Sequence, residues 1–89
     1  MKKITLQDGF QLEVEENRLD NMELVDAMSD LVDGENALAM SRVVRALLGD
    51  KTKKALYAHL KTEDGRVPTE RVGNAITEVM NALGQQGKN

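Results

Sequence analysis

Apolar and polar residues alternate over residues 2–14 and then recur at helical spacing as far as residue 83. In "KKITLQDGFQLEV", Ile4 and Leu6 alternate with Lys3, Thr5 and Gln7, and Phe10, Leu12 and Val14 alternate with Gln11, Glu13 and Glu15. A period of two marks two half-buried strands. Asp8-Gly9 between them invites a two-residue type I′ turn. That register sets Leu6 opposite Gln11 and Ile4 opposite Glu13, which ruins the apolar face. A three-residue loop, Gln7-Asp8-Gly9, instead sets Leu6 opposite Phe10, Ile4 opposite Leu12 and Lys2 opposite Val14. A slip of one residue turns every side chain over. The pattern therefore selects the three-residue loop, a type I turn with a bulge at a left-handed Gly9.

After "EENRLDN" the period changes. Leu24, Val25, Met28, Leu31 and Val32 predict a helix over 21–33, capped by Asp20 or Asn21 and stopped by Gly34. Met40, Val43, Val44, Leu47 and Leu48 predict a second helix over 37–48, with Asn36 as its cap and Gly49 as its stop. Ser41 is a rival cap that shortens it. Asp50 is placed to cap a third helix over 51–61, with the stripe Thr52, Ala55, Leu56, His59 and Leu60. "TEDGRV" is a loop in which Gly65 takes a positive φ. Pro68 suits the first turn of a fourth helix over 68–83. Val72, Ala75, Ile76, Val79, Met80 and Leu83 give it the cleanest stripe in the chain, and Gly73 within it points to close packing. Gly84 is the expected stop, followed by a flexible polar tail over 84–89. The expected fold class is α+β: one domain, 1–83, with an N-terminal β-hairpin packed on a bundle of about four short helices.

With 89 residues the core is small. A domain of this size hides only roughly 60–65% of the surface of its unfolded chain, and such domains often rely on disulfides, metals or oligomerisation. There is no Cys and only one His, which excludes disulfides, thiolate metal sites and a His-rich metal site. Oligomerisation remains, and no cofactor is expected. The absence of Cys suits a reducing compartment. Gln7, Asp8 and Gly9 break any export signal after Lys2 and Lys3, so a cytoplasmic location is expected. No run approaches the roughly 18 apolar residues of a membrane span. A net charge of -3, with Phe10 and Tyr57 as the only aromatics, argues against nucleic acid as the default partner.

Candidate chemistry is sparse. His59 lies at the edge of a helical stripe, where its polar tip turns to water or a carboxylate. A triad around it needs a nucleophile, and neither Ser29 nor Ser41 sits in a nucleophile-elbow pattern. "LKTEDGRVPTER" imitates part of an EF-hand, but Leu60 and Arg71 then fall at positions one and twelve, where calcium needs oxygen ligands. Glu23, Asp26, Asp30 and Asp33 make the first helix acidic, while Arg42, Arg45, Lys51, Lys53, Lys54 and Lys61 make the next two basic. The two sets are suited to pair within a subunit or between subunits.

The order of these segments resembles a family. "ITLQDGFQLEV", "LDNMELVDAMSDLVDG" and "LLGDKTKKALYAHLKTEDGRVP" are similar to the small tail assembly chaperones of long-tailed bacteriophages, especially those of Gram-positive hosts. The resemblance runs from Ile4 to Leu83 and rests on pattern and order. It implies a non-enzymatic protein of the bacterial host cytoplasm. Such a protein binds the helical tape-measure protein, keeps it soluble, self-associates during tail assembly and then leaves. It also implies that a longer product is made by frameshifting near the C-terminus in many members.

A chaperone of this kind needs adaptable apolar surface, for which Met22, Met28, Met40 and Met80 are available, although core filling is the ordinary role of such residues. Lys3, Thr5, Gln11 and Glu13 lie on the strand edges, where a neighbour's strand can extend the sheet, and are the expected self-association residues. Arg42, Arg45, Lys53 and Lys54 are the expected charged partner surface. The alternative is a small nucleic-acid-binding regulator that uses those same four cations. A hydrolase built around His59 is the third reading.

Overall fold

The hairpin forms in the register that the alternation requires. In the computed structural model, which describes residues 1–33 and 38–85, β1 (Lys2–Thr5) pairs antiparallel with β2 (Gln11–Val14). Lys2 faces Val14, Lys3 faces Glu13, Ile4 faces Leu12 and Thr5 faces Gln11. The Leu6 N–H donates to the Phe10 carbonyl at 2.8 Å and the Gly9 N–H to the Leu6 carbonyl at 2.9 Å, with Gly9 at φ 95°. This is the three-residue loop with its glycine bulge. Ile4, Leu6, Leu12 and Val14 are buried, and Phe10 is half-buried.

A 3-10 turn over Glu16–Leu19, which the sequence pattern leaves as loop, leads into α1 (Met22–Asp33). Asn21 is the cap: its side-chain oxygen accepts the Glu23 N–H at 3.0 Å, and its carbonyl accepts the N–H of Leu24 and of Val25. The expected Gly34 stop, the Asn36 cap and residues 86–89 of the expected tail lie outside the described residues.

Among the described residues the expectation of about four helices is corrected to three: α1, α2 (Leu38–Leu60) and α3 (Thr69–Gln85). The second and third expected helices are one element, α2, broken inside at Gly49 (φ 82°, ψ 164°). Gly49 does stop helical geometry, but for a single residue. That corner of backbone space is essentially open to glycine alone, so the chain turns there without a loop. Asp50 does not cap the second arm; its carboxylate accepts from Arg45 Nε at 3.2 Å across the break. Ser41 sits within the helix, so the shortened alternative falls away. Pro68 stands one place before α3, and its carbonyl accepts the Val72 N–H at 3.2 Å. Gly84 does not end α3, which reaches Gln85.

The break is held from outside. Arg18, on the 3-10 turn, donates from Nη1 to the Ala46 carbonyl at 3.4 Å. A cation suits the carbonyl-rich end of a helical arm. Glu15 stands 3.8 Å from Arg18 Nε. A Cβ on Gly49 would approach Arg18 Nη2 to 3.2 Å.

One cluster of apolar side chains joins all the elements. Leu24 of α1, Leu47 and Leu56 from the two arms of α2, and Val79 of α3 are almost completely buried, with Val14 from the hairpin. Truncating one of the leucines to Ala costs about 2–5 kcal/mol. α1 packs along α2, while β2 lies against α2 and β1 against α3. Gly73, expected to allow close packing, does not need to be glycine for that: a Cβ there would make an ordinary contact with Met40 Cε at 3.5 Å. Ala55, expected in the stripe, is exposed.

Candidate interaction surfaces

α1 turns only part of its apolar arc to the core. Leu24 and Ala27 are buried and Met28 and Leu31 half-buried, while Val25 and Val32, expected inward, are 47% and 81% exposed. Met22 is 67% exposed. At 3.6 residues per turn, Met22, Val25, Ser29 and Val32 share a strip of about 80° of the helix surface. Asp26, Asp30 and Glu23 follow on the next arc, all exposed. The result is an uncovered apolar strip with a row of carboxylates beside it. Of the other methionines, Met28, Met40 and Met80 are half-buried against the core, which is the ordinary role.

The basic residues do not form one patch. Arg42 Nη2 reaches across to Asp30 of α1 at 2.7 Å, so one of the expected pairings between the acidic and basic helices exists within the subunit. Arg45 pairs with Asp50. Lys53 donates to Ser41 Oγ at 3.1 Å and lies 5.5 Å from the centre of the Tyr57 ring. Lys54 is exposed and makes no ion pair among the described residues. Lys51 lines a groove beside β2, and Lys61 lines a different one beside the 62–66 turn. Burial pushes the Tyr57 phenol up from its ordinary 10.0, against the pull of Arg45. Of the four cations in the nucleic-acid reading, Arg42 and Arg45 are thus engaged by carboxylates.

The sole His docks the hairpin turn. His59, at the end of α2, meets Asp8 Oδ2 through Nε2 at 2.8 Å, and its ring stacks on Phe10 with centroids 4.5 Å apart. The carboxylate foreseen for its polar tip is therefore Asp8. The His59 hydrogen bond, then the Phe10 N–H, hold the Asp8 carboxyl below its ordinary 3.8. From α3, Glu78 accepts the Gln7 N–H at 2.8 Å, which pins the turn from the other side. The cleft beside these residues is completed by Leu60, Arg71 and Asn74, among others, and no serine, threonine or cysteine lines it. His59 and Asp8 thus form a hydrogen-bonded pair with no hydroxyl or thiol nucleophile among the described residues that line the cleft. Among the described residues no group of three metal-ligating side chains is gathered, and no helix is long and apolar enough to cross a membrane.

The strand edges are open. Lys3, Thr5, Gln11 and Glu13 are exposed. In this register Ile4 and Leu12 direct their backbone groups at each other, as do Lys2 and Val14, so those of the four exposed residues point away from the pair. Among the described residues nothing outside the hairpin bonds to them. The expected self-association residues are therefore grouped on the two edges.

Compared with family models, curated proteins and solved structures, the chain matches none. Sequence reasoning missed the exposure of Val25 and Val32. The signal was present in the helix's apolar arc, which is wider than one neighbouring helix can cover.

Proposed function

We propose that this chain is a non-enzymatic assembly chaperone that binds apolar helical segments of a long client and self-associates while it does so. The observation that carries the reading is the strip on α1: Met22, Val25 and Val32 stand exposed in line, on a helix whose other side is anchored in the core. A rigid helix with an apolar strip flanked by Glu23 and Asp26, with Asp30 held by Arg42, suits an amphipathic helix with basic residues beside its own apolar stripe. The sequence resemblance to phage tail assembly chaperones makes that client a tape-measure protein and the setting the host cytoplasm. No observation on the basic residues favours the nucleic-acid alternative.

The test is co-expression with helical fragments of a very long coiled-coil-like protein, which this reading expects in a neighbouring open reading frame. Fragments that precipitate alone stay soluble with the wild-type chain and precipitate with the Val25→Asp/Val32→Asp variant, whose own melting temperature is nearly unchanged. A neighbourhood without such a gene, or fragments indifferent to the chaperone, overturns the proposal.

A further inference from the structure

The two open edges of the hairpin carry opposite charge. β1 presents Lys2 and Lys3, and β2 presents Glu13, with Glu15 and Glu16 just beyond its end at Val14. Charge on an edge strand discourages a second strand from pairing there. Here that protection is selective. A second β1 brought to β1 adds lysine to lysine. The strand residues of a second β2 add no base to Glu13; the base on that side, Lys51, belongs to α2. Only β1 of one copy against β2 of another brings opposite charges together. Within the subunit, Lys3 already faces Glu13 and Thr5 faces Gln11. The same register between subunits satisfies the outward N–H and C=O groups of all four residues and keeps the sheet antiparallel. The β2 edge also has space beside it, a groove of about 380 Å³ lined by Phe10, Gln11, Glu13, Lys51, Thr52 and Ala55.

We infer that the chain self-associates head to tail, with the β1 edge of one copy added to the β2 edge of the next. The occupant of each open edge is a second copy of this chain. This deepens the self-association part of the proposed function and rests on it. A head-to-tail contact is heterologous, so it builds a closed ring or an open filament rather than a two-fold dimer. Along the sheet, Lys3 and Glu13 alternate from strand to strand at a spacing of about 4.8 Å.

The experiment uses two edge-blocking variants of the full chain, Thr5→Pro and Glu13→Pro. Each removes an outward N–H and no bond of the hairpin itself. Light scattering across a concentration series is read for each variant alone and for their equimolar mixture. Each alone is expected to be monomeric. The mixture is expected to give a one-to-one heterodimer, because the Thr5→Pro chain keeps its β2 edge and the Glu13→Pro chain keeps its β1 edge. A variant that still dimerises alone, a mixture that stays monomeric, or a wild-type chain monomeric at every concentration overturns the inference.

If circular dichroism shows either proline variant unfolded, Lys3→Glu and Glu13→Lys replace them. Each is expected to assemble at least tenfold more weakly than wild type, and the double exchange to recover. Unchanged assembly in the single variants, or no recovery in the double, overturns the inference equally. Solubilisation of helical client fragments is measured in parallel. Variants that lose assembly but retain it isolate the edge contact, whereas its loss in the wild-type chain defeats the chaperone reading instead.

Discussion

Residues 6–10 and 62–66 close with the same pair of backbone hydrogen bonds. In the first, Leu6 N–H bonds the Phe10 carbonyl and Gly9 N–H the Leu6 carbonyl; in the second, Thr62 N–H bonds the Arg66 carbonyl and Gly65 N–H the Thr62 carbonyl. Gly9 and Gly65 have φ of 95° and 89°. Each turn has Asp-Gly at its third and fourth residues. One joins two strands and the other joins two helices, so the turn is a property of its few residues and indifferent to what it connects. What differs is attachment. The first turn rises from buried Leu6, stacks through Phe10 on His59 and is bonded by His59 and Glu78. The second holds itself: the Thr62 hydroxyl donates to Asp64, and Arg66 Nε donates to Asp64 at 2.9 Å with both side chains largely exposed. Local sequence makes the bend, and distant sequence decides whether the bend is a structural anchor or a surface feature.

The largest effect that separates them lies at their first residues. Leu6→Ala is expected to cost about 2–5 kcal/mol, as for other buried leucines. Thr62→Ala removes the hydroxyl hydrogen bond to Asp64 and should cost about 0.5–1.5 kcal/mol. Urea unfolding of both variants measures the gap, and equal losses would break the contrast.

At the shared glycines the prediction is equality. A Cβ meets nothing within 4 Å at either Gly9 or Gly65, so only the left-handed backbone is penalised. Gly9→Ala and Gly65→Ala should each cost about 1–2 kcal/mol. A markedly larger loss at Gly9 would mean that its surroundings help to shape the bend.

His59→Ala removes a ring stack worth about 0.5–1.5 kcal/mol and has no counterpart at the second turn. Its signature is local: faster amide exchange at residues 6–10 and no change at 62–66.

Acid provides the finest comparison. The Thr62 hydroxyl first, and then Arg66, hold Asp64 below its ordinary 3.8, as His59 and the Phe10 N–H do for Asp8. A carboxyl depressed by folding contributes stability that is present above 3.8 and lost as pH falls through its lower folded value. Asp8→Asn and Asp64→Asn should therefore each flatten the acid limb of the stability curve below about pH 4. Removing His59 should shrink the effect of Asp8→Asn and leave that of Asp64→Asn untouched. Two-dimensional NMR titration of the carboxyl carbons reads both groups in one sample.

The same division between local and distant causes explains what the sequence revealed. The hairpin register was legible because only one loop length places Ile4, Leu6, Phe10, Leu12 and Val14 on one face. The stripe of α3 was legible because Val72, Ala75, Ile76, Val79 and Leu83 all find the core. The rotation of α1 was not, because the width of its apolar arc signals that part of it stays uncovered, but periodicity cannot choose which part. Small Ala27 took the inward place that Val25 and Val32 were expected to share. Gly49 was legible as a stop but not as a joint, since the pattern does not show that one residue suffices to turn the chain. Arg18 escaped notice because its partner, Ala46, lies 28 residues away. On the candidate surfaces, the edge residues followed from the register. The basic residues, grouped in sequence, were dispersed by the helix they share.

The joint in α2 has a consequence for descent. Position 49 faces two constraints of unequal weight: a backbone at φ 82° and ψ 164° that suits glycine alone, and a guanidinium 3.2 Å from where a Cβ would stand. The first holds whatever residue occupies position 18. Among divergent relatives that keep this bend, residue 49 should thus remain glycine long after residue 18 has drifted from arginine. A lineage that loses the glycine must straighten the helix or insert a loop, and so pull apart the two arms that carry Leu47 and Leu56 into the core.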